Sequence, residues 1–490
     1  MALYRIVTKL TYCPATPAFS GPLRGLSEHL INETNSFTVT ESGSGVRLSY
    51  TDEFVDSITD SFSDFYSSPD SNEPNSGELP YSDSALLPAC DNLMEDLPII
   101  TGNFSNAYFG HSFSSGDLNH DGIDDVVVGA PGWSSNGLPQ LGAVYIIYGN
   151  KDSTVLTNTT LPMKPPLVGK NSHDRFGWAS AVLDLNKDGW NDLVVSSPGH
   201  SSANLTYKGV ISVFWSNNGT LSQSPDVFLV SNTNFTNLGY TFVTFDCDSD
   251  GYLDLVITAP FAGSGGAYPQ QKGKVFLLLA SSTAYSGSLN VEDAATWILE
   301  GESSNNLFGS HVEVANNIGL GDPFVIVGSP VTGSGSHSSS ELGKVYGYNL
   351  KHLMKGKDQQ SSLIFSIEGE NLWDQAGFSF AVGSLAEYSL VLAVSAPGRT
   401  TGFQEEQFGA VFFYDLSSLQ GTTNLYGDTN LVVLQGDDKY ARFGYQCVFD
   451  QMSASNSSWW VTQPRRKFNE ENPEAGAIFR WNRFSSCYQM

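Results

Sequence analysis

The chain has 490 residues and a formal net charge of −27, from 51 acidic and 24 basic side chains. This charge disfavours binding to nucleic acid and to anionic membranes, and it suits a protein whose carboxylates hold cations. The length exceeds a normal single core, which leaves several domains or a closed array of repeats. Abundant glycine (48 residues), an aromatic content of 12% and little helical periodicity favour an all-β fold.

Residues 1–95 differ in composition from the rest of the chain. Between positions 49 and 96 there are twelve acidic side chains and no Lys or Arg, interspersed with Ser, Pro and Asn. Such a composition predicts a poorly ordered, solvated segment. One isolated hairpin is expected over 37–51, around Gly43 and Gly45. We therefore divide the chain into an acidic N-terminal segment, 1–95, and a repeat domain, 96–484.

The sequence contains no stretch of about 20 apolar residues that could span a bilayer, and no secretory signal is visible at its N-terminus. Seven Asn-x-Ser/Thr sequons occur, which in a chain rich in Ser and Thr are weak support for secretion and glycosylation. Of the five cysteines, Cys447 and Cys487 fall in one repeat and could pair. A buried free thiol is the alternative for each of them.

One pattern recurs six times from residue 96 onward. Each copy begins with Phe-Gly or a close variant, at positions 109, 176, 238, 308, 376 and 443, and ends near a proline about 21 residues later. A period of 62 to 70 residues indicates supersecondary units that bury their apolar faces against neighbours. Four short apolar runs per copy predict a four-stranded antiparallel sheet for each repeat, arranged radially as the blades of a propeller.

The start of each repeat is preceded by a second fixed feature. A glycine lies seven residues before the Phe-Gly position in five of the six repeats, and Ser231 takes its place in the third. This constant offset predicts a uniform crossover from the outer strand of one blade to the inner strand of the next.

The first three repeats carry a nine-residue acidic loop. Acidic or amide side chains stand at positions 1, 3, 5 and 9, glycine stands at position 6, and position 7 can offer its backbone carbonyl. Such alternate oxygens on a tight turn converge on one point and suit Ca²⁺. The predicted ligands are Asp117, Asn119, Asp121, Ile123 and Asp125 in the first loop, Asp184, Asn186, Asp188, Trp190 and Asp192 in the second, and Asp246, Asp248, Asp250, Tyr252 and Asp254 in the third.

A single motif of this kind is often only a polar turn, but three copies in register favour metal binding. These loops differ from EF-hands because apolar residues replace the bidentate Glu at position 12, and strands are expected on both sides. The corresponding stretches of the last three repeats, 315–322, 383–388 and 450–455, lack the ligands. The sequence therefore predicts three Ca²⁺ sites, with dissociation constants on the order of 10⁻⁴–10⁻³ M.

These features resemble the FG-GAP repeat of integrin α-subunit propellers. Stretches at 205–215, 270–279 and 289–302 resemble more specifically the C-terminal propeller of the glycosylphosphatidylinositol (GPI)-specific phospholipase D family. The resemblance covers about residues 96–482 and implies an extracellular FG-GAP β-propeller. Both families have seven repeats, whereas six are visible here. We expect the ring to close by pairing of residues 97–102 with the strand around 476–481, giving six blades, or seven if the 37–51 hairpin contributes.

The resemblance also implies a function. Full-length phospholipases of this family hydrolyse the inositol-phosphate linkage of GPI anchors, with a zinc-dependent N-terminal domain. Residues 1–95 contain one histidine, His29, and no tryptophan, so Zn²⁺ is expected only in a catalytic domain that we do not find in this sequence. No catalytic residue is predicted. The chain is expected to position GPI-anchored proteins or glycolipid, and the alternatives are an integrin-like adhesion propeller with a protein ligand and a purely structural fragment.

Overall fold

The structure is a computed structural model of the chain. It describes residues 38–39, 48–49, 106–149, 167–203, 205–263, 271–282, 285–315, 322–331, 342–371, 373–385, 388–400, 407–427, 430–437, 439–451, 457–463 and 477–481. Within the N-terminal segment, Thr38–Val39 pairs antiparallel with Leu48–Ser49, as the predicted hairpin requires. The remainder of that segment and the expected outer strand at 97–102 lie outside the described residues.

Six antiparallel sheets follow one another along the chain, one for each predicted repeat. We call them blades 1 to 6 and number the strands within each blade in chain order. The strands are Phe113–Gly116, Asp125–Ala130, Ala143–Ile147 and Leu167–Val168 in blade 1; Ser180–Leu183, Asp192–Ser197, Val210–Phe214 and Val227–Val230 in blade 2; Phe242–Phe245, Asp254–Ala259, Lys274–Leu278 and Trp297–Glu300 in blade 3; His311–Ala315, Phe324–Ser329, Lys344–Asn349 and Leu363–Glu368 in blade 4; Phe380–Leu385, Tyr388–Ala396, Ala410–Asp415 and Asn430–Gln435 in blade 5; and Cys447–Gln451, Ser457–Gln463 and Ala477–Trp481 in blade 6. The architecture is the expected all-β propeller of antiparallel blades.

Blades 2 and 4 each gain a fifth strand from the next repeat, which the sequence did not predict. Gly287–Asn290 pairs parallel with the fourth strand of blade 2, and Gly421–Asn424 pairs parallel with that of blade 4. Both segments come from the connection between the third and fourth strands of the following blade. Because an unpaired edge exposes backbone N–H and C=O groups, these additions protect the rim.

The other short elements also lie in such connections. A small hairpin, Ser216–Asn217 with Thr220–Leu221, follows the third strand of blade 2. The described helices are Val291–Ala294, Leu350–Met354 and Gln359–Ser362. Each of these described helices lies in the connection between the third and fourth strands of a blade, blade 3 for the first and blade 4 for the other two.

The hydrophobic core consists of layers between adjacent blades. Every residue of the second strands of blades 1 to 4 is buried. Alternate residues of these strands face the two neighbouring blades: Val194 packs with Ile257 in the layer between blades 2 and 3, and Val256 packs with Val325 in the layer between blades 3 and 4. Burial of apolar area, at roughly 25 cal/mol per Å², therefore makes each blade depend on its neighbours.

The crossover glycines follow the fourth strand of a blade, where its backbone lies against the segment that leads into the third strand of the same blade. The backbone N–H of Gly169 donates to the carbonyl of Gly142 at 3.0 Å. A Cβ atom at Gly169 would lie 1.9 Å from the Leu141 carbonyl oxygen. Gly301, Gly369 and Gly436 make the same hydrogen bond with similar crowding. The predicted crossover is thus present at these four positions, where a side chain would displace the backbone; Ser231 stands at the corresponding position before blade 3.

Two of the cysteines lie among the described residues. Cys247 and Cys447 are both buried free thiols. Cys487 lies outside the described residues. In the structure Cys447 is a free thiol, which is the second of the two alternatives given above.

Candidate metal sites

The three acidic loops connect the first and second strands of blades 1, 2 and 3. They begin after Gly116, Leu183 and Phe245 and end where the second strands begin, at Asp125, Asp192 and Asp254. Because the blades repeat the same topology, all three loops lie at the same end of the propeller.

The polar side chains of each loop are oriented by backbone N–H groups of the same loop. In the first loop, Asp117 accepts hydrogen bonds from the N–H groups of Asp121 at 3.1 Å and Gly122 at 2.8 Å. Asn119 accepts from the Asp121 N–H, and Asp121 accepts from the Ile123 N–H. The second and third loops repeat all four bonds, at 2.8 to 3.2 Å. The oxygens of positions 1, 3 and 5 therefore share one orientation in all three loops.

The backbone of each loop turns twice through the left-handed region. The glycine at position 6 has φ of +85°, +90° and +92° in the three loops. Position 4 is also left-handed although it is not glycine: His120, Lys187 and Ser249 have φ between 58° and 64°. The shared backbone path accounts for the Gly at position 6, because a residue with a Cβ is disfavoured in this region.

Position 9 anchors the loop to the blade. Asp125, Asp192 and Asp254 are fully buried. One oxygen of each accepts from the N–H at position 2, and the other accepts from the N–H just beyond the third strand, of Gly149, Ser216 or Ala280. The loop is thus tied to the blade even without an ion.

Burial also changes the charge behaviour of these anchors. Desolvation raises the pKa of Asp192 to about 7 and that of Asp254 to about 6, and it raises the pKa of Asp125 as well. The hydrogen bonds from the backbone oppose this effect without cancelling it. A carboxylate in such a place favours a nearby cation, because a positive charge offsets the cost of burying the negative one.

The spacing of the oxygens fits a calcium ion in the third loop. Carboxylate oxygens of Asp246, Asp248 and Asp254 lie within 4.8 Å of one another, the one such group of His, Cys, Asp or Glu among the described residues. Two oxygens that each lie 2.3–2.6 Å from one Ca²⁺ are at most about 5 Å apart. The donor set contains only oxygen, as Ca²⁺ prefers, so these residues fit the ion without a large rearrangement.

Position 7 has the same backbone role in all three loops, but its side chain differs in exposure to solvent. The backbone N–H of Ile123, Trp190 and Tyr252 donates to position 5, which leaves the carbonyl at position 7 as the candidate ligand. Their side chains are buried, half-buried and exposed respectively.

Contacts between neighbouring loops join the three sites into a row. The ring of His120 packs against that of Trp190 with centroids 4.5 Å apart, and the Asn191 side chain donates to the Asp117 carbonyl at 3.0 Å. Lys187 of the second loop forms an ion pair with Asp250 of the third. This hydrogen bond raises the pKa of Lys187 and lowers that of Asp250, so both groups are charged near neutral pH.

Sequence reasoning missed three of these bridging residues, His120, Lys187 and Asn191. They occupy position 4 or position 8 of a loop, where the motif specifies no residue type. A signal for Lys187 was nevertheless present, since it is a basic residue inside an acidic loop. The loops of the last three blades fall partly outside the described residues, so the absence of ligands there stays a prediction from sequence.

The opposite end of the propeller carries aromatic side chains at the residue after Phe-Gly in five of the six blades, and blade 4 has Ser310 there. They are His111, Trp178, Tyr240, Phe378 and Tyr445. The rings of the first two lie 4.2 Å apart and those of the last two 5.0 Å apart. We call these five residues the aromatic rim. Their fixed place in the repeat is visible in the sequence, but the sequence alone assigns them no role.

Comparison with known proteins agrees with the repeat assignment. The FG-GAP repeat model matches residues 109–147, 176–214 and 238–278. The chain is 34% identical over 362 residues to phosphatidylinositol-glycan-specific phospholipase D of Mus musculus, which covers 69% of this chain and 41% of the relative. The Homo sapiens protein of the same name gives 34% over 364 residues, with 70% and 41% covered. Integrin alpha-IIb of Mus musculus is 33% identical over 189 residues, or 37% of this chain and 18% of the relative.

The fold and the repeats define this chain as an FG-GAP β-propeller protein. Among the relatives named above, the phosphatidylinositol-glycan-specific phospholipases share the longer stretch with it, and the integrin α-subunit shares the FG-GAP repeats. The chain spans about two fifths of the length of those phospholipases. No helix in the described part of the structure is long and apolar enough to cross a membrane.

Proposed function

We propose that this chain is an extracellular, calcium-binding propeller that binds and positions a ligand in the manner of a non-catalytic domain. The observation that carries the calcium assignment is the identical construction of the three loops. Each directs the oxygens of positions 1, 3 and 5 by the same four hydrogen bonds, and each buries the carboxylate at position 9. The buried carboxylate anchors each loop to its blade, and a bound cation would offset the cost of burying its charge.

When bound, Ca²⁺ would supply positive charge that offsets the carboxylates of each loop. The chain's own residues do the rest: position 9 fixes the loop to the second strand, and the backbone N–H groups keep positions 1, 3 and 5 oriented. The ion is therefore assigned a stabilising role at one end of the propeller. The sequence similarity to the phospholipases supports an extracellular setting, where Ca²⁺ is abundant enough for weak sites.

The ligand we propose is the glycolipid anchor of GPI-linked proteins. The support is the similarity to phosphatidylinositol-glycan-specific phospholipase D over about 70% of the chain. The hydrolytic reaction is assigned to residues outside the described propeller, and this propeller would hold the anchor or its protein for that reaction. No zinc ligands are assigned within the propeller.

A second candidate is an integrin-like adhesion propeller that binds a protein ligand. The observation that favours it is the aromatic rim, which is bordered by two guanidinium groups. Arg175 lies over the Trp178 ring at 5.5 Å, and Arg442 lies over the Tyr445 ring at 5.9 Å. Aromatic and Arg side chains are enriched where proteins bind each other.

Calcium binding is tested by calorimetric titration of the purified chain. We expect heat from up to three sites, and loss of one site each from Asp121→Ala and Asp188→Ala. Asp293→Ala, which removes an exposed acid from the short helix near blade 3, is the matched control and should change nothing. No Ca²⁺ uptake, or equal uptake by all the variants, would refute the calcium assignment.

The ligand is tested by capture of a reporter protein on the immobilised chain. One form of the reporter carries a GPI anchor and the other has had the anchor removed enzymatically. Capture of the anchored form alone supports glycolipid positioning. Equal capture of both forms, abolished by Trp178→Ala, would favour the adhesion alternative, and no capture of either would contradict both.

A further inference from the structure

The carboxylate at position 5 receives its second hydrogen bond from a different donor in the third loop. In the first two loops this donor is the amide of the asparagine at position 3. Asn119 donates to Asp121 at 3.3 Å, and Asn186 donates to Asp188 at 3.0 Å. Both bonds stay within one loop and leave its charge unchanged.

The third loop has Asp248 at position 3, and an ionised carboxylate cannot donate. The corresponding oxygen of Asp250 instead accepts a hydrogen bond from the Lys187 ammonium of the second loop. The other oxygen of Asp250 keeps the usual bond from the Tyr252 N–H at 3.0 Å. A charged side chain from the neighbouring blade thus takes the place of a neutral amide within the loop.

Lys187 is positioned for this contact by its own loop. It stands at position 4, where the backbone is left-handed, with φ of 58°. Its ammonium group lies 5.2 Å from the centre of the Tyr252 ring. The side chain is 22% exposed, less than an unrestrained surface lysine would be. Two contacts on one neighbouring loop hold the ammonium group over the third site.

The charges at the predicted ligand positions then become equal. At these positions, the first and second loops each have three carboxylates and the third has four. With the Lys187 ammonium counted, the ligand set of the third loop also carries a net charge of −3; Asp124, at position 8 of the first loop, lies outside the ligand set of that loop. A unit charge about 4 Å from an ion changes its energy by about 1 kcal/mol in water and by more in a less polar setting.

We propose that Lys187, a residue of the second loop, sets the cation affinity of the third loop. Its ammonium group forms an ion pair with Asp250 when the third loop is empty, and it weakens Ca²⁺ binding when the third loop holds the ion. This inference rests on the proposed calcium-binding function. It makes Lys187 a positioning residue that lies outside the ligand set of its own loop and acts on the ligand set of the next.

The test compares Lys187→Met with Lys357→Met in the full chain. Lys357 is exposed near blade 4, so its replacement removes the same charge far from the loops. Tb³⁺ is the probe, with Ca²⁺ as competitor, because Tyr252 stands beside the third loop and Trp190 beside the second. The part of the sensitised luminescence that is lost in Tyr252→Phe reports the third loop, and the part sensitised by Trp190 reports the second loop together with the first, which its ring also contacts.

Removal of the ammonium should tighten third-loop binding on the order of tenfold, with little change in the second loop or in Lys357→Met. Lys187→Arg, which keeps the charge, should bind as the unmodified chain does. In an Asp248→Asn background, where the amide donor is restored, Lys187→Met should change the affinity less than about twofold. Urea unfolding in the presence of the cation checks that each variant is folded.

The outcomes separate this inference from the function on which it rests. If the third loop binds the cation equally well with and without Lys187, or more weakly without it, the coupling is refuted and calcium binding stands. If no variant takes up the cation at the third loop, calcium binding at that site fails together with the coupling.

Discussion

His120 and Trp190 belong to different blades, yet their rings pack 4.5 Å apart and join the first acidic loop to the second. Trp190 also lies close to the small hairpin of blade 2, since a Cβ atom at Gly219 would be 3.5 Å from its ring. Asn191, the next residue, bonds the Asp117 carbonyl. Two consecutive residues therefore fix one loop against its neighbour.

Replacement of this ring should weaken the whole end of the propeller. We expect Trp190→Ala to lower the free energy of unfolding by about 1–2 kcal/mol, from the lost aromatic pair and the lost apolar contact. Trp190→Phe keeps a ring and should recover more than half of the loss. Urea unfolding followed by circular dichroism measures both. Equal stability of Trp190→Ala and the unmodified chain would show that the contact carries no energy.

Calcium should stabilise the folded chain in proportion to the number of sites that it fills. At a free concentration ten times the dissociation constant, each independent site adds about 1.4 kcal/mol to the free energy of unfolding. Thermal unfolding in a calcium series should show a rising midpoint, and Asp184→Asn should reduce the rise by about one third. The same series with Mg²⁺ is the control, and it should give a smaller shift, because Mg²⁺ demands tighter octahedral geometry. A midpoint independent of calcium would contradict the prediction.

The blades and the acidic loops could be predicted because both repeat. A fixed period, the buried second strands and the glycine at position 6 each follow from backbone geometry that every copy must satisfy. The Lys187–Asp250 pair could not be predicted in the same way. The two residues are 63 positions apart, and their contact depends on how far adjacent blades are offset, which no single repeat encodes.

The fifth strands were missed for a different reason. Gly287–Asn290 and Gly421–Asn424 read Gly-Ser-Leu-Asn and Gly-Thr-Thr-Asn, without the alternation of a half-buried strand. They form strands because an edge of the preceding blade is available to pair with, a tertiary effect that overrides weak local preference. The glycine at position 169, in contrast, could be predicted from its constant offset before Phe-Gly. The structure gives the reason, because the backbone of Gly169 lies against the Leu141 carbonyl oxygen.

Glycine should be required for different reasons at the crossover and in the acidic loops. Gly169→Ala places a Cβ atom 1.9 Å from a backbone oxygen, so we expect a loss of about 3 kcal/mol or more. Gly189→Ala meets no atom within 4 Å but keeps φ near +90°, and should cost about 1–2 kcal/mol. Ser231→Gly, at the one crossover without glycine, is the control and should change stability little. Chemical denaturation ranks the three, and an equal cost for the first two would contradict the steric argument.

A half-buried carboxyl group between blades 4 and 5 should make stability depend on pH. Glu313 accepts a hydrogen bond from the Val382 N–H at 3.3 Å, and burial raises its pKa from 4.5 to about 8. Because the folded pKa is the higher one, the contribution of Glu313 is complete below about pH 4.5 and is lost as the pH rises through about 8. His311 acts in the opposite sense: burial lowers its pKa to about 4, so its contribution is lost as the pH falls from 6.5 toward 4.

The comparison of the unmodified chain with Glu313→Gln isolates the carboxyl group, since His311 is common to both. From about pH 5 to about pH 9, the unmodified chain should lose on the order of 2 kcal/mol of stability relative to Glu313→Gln. Chemical denaturation at several pH values, with the calcium concentration fixed, gives this difference directly. Parallel pH profiles for the two proteins would show that Glu313 ionises in the folded chain as it does in the unfolded chain.

The last prediction concerns closure of the ring. In blade 6, the described third strand, Ala477–Trp481, pairs with Ser457–Gln463 on one side. Gly102 lies seven residues before Phe109, as the crossover glycines do in the other repeats. Residues 97–102 are therefore predicted to pair with the other side of Ala477–Trp481 and to complete blade 6. The face of blade 1 turned away from blade 2 is already apolar and buried, with Phe109, Val126 and Tyr145 in one cluster. An open array would leave such a face and a strand edge in contact with water.

Deletion of residues 96–103 should therefore destabilise all the blades together, because each layer depends on its neighbours. Hydrogen exchange should then rise in the second strands of every blade, whereas loss of an unpaired end would raise it in blade 1 alone. Deletion of residues 37–51 is the control and should leave the exchange pattern of the blades unchanged unless that hairpin contributes to an extra blade. Crosslinking gives an independent measurement: Ile99→Cys combined with Ile478→Cys should form a disulfide under mild oxidation if the two strands pair. An absence of crosslinking, together with exchange that increases only in blade 1, would refute the closure.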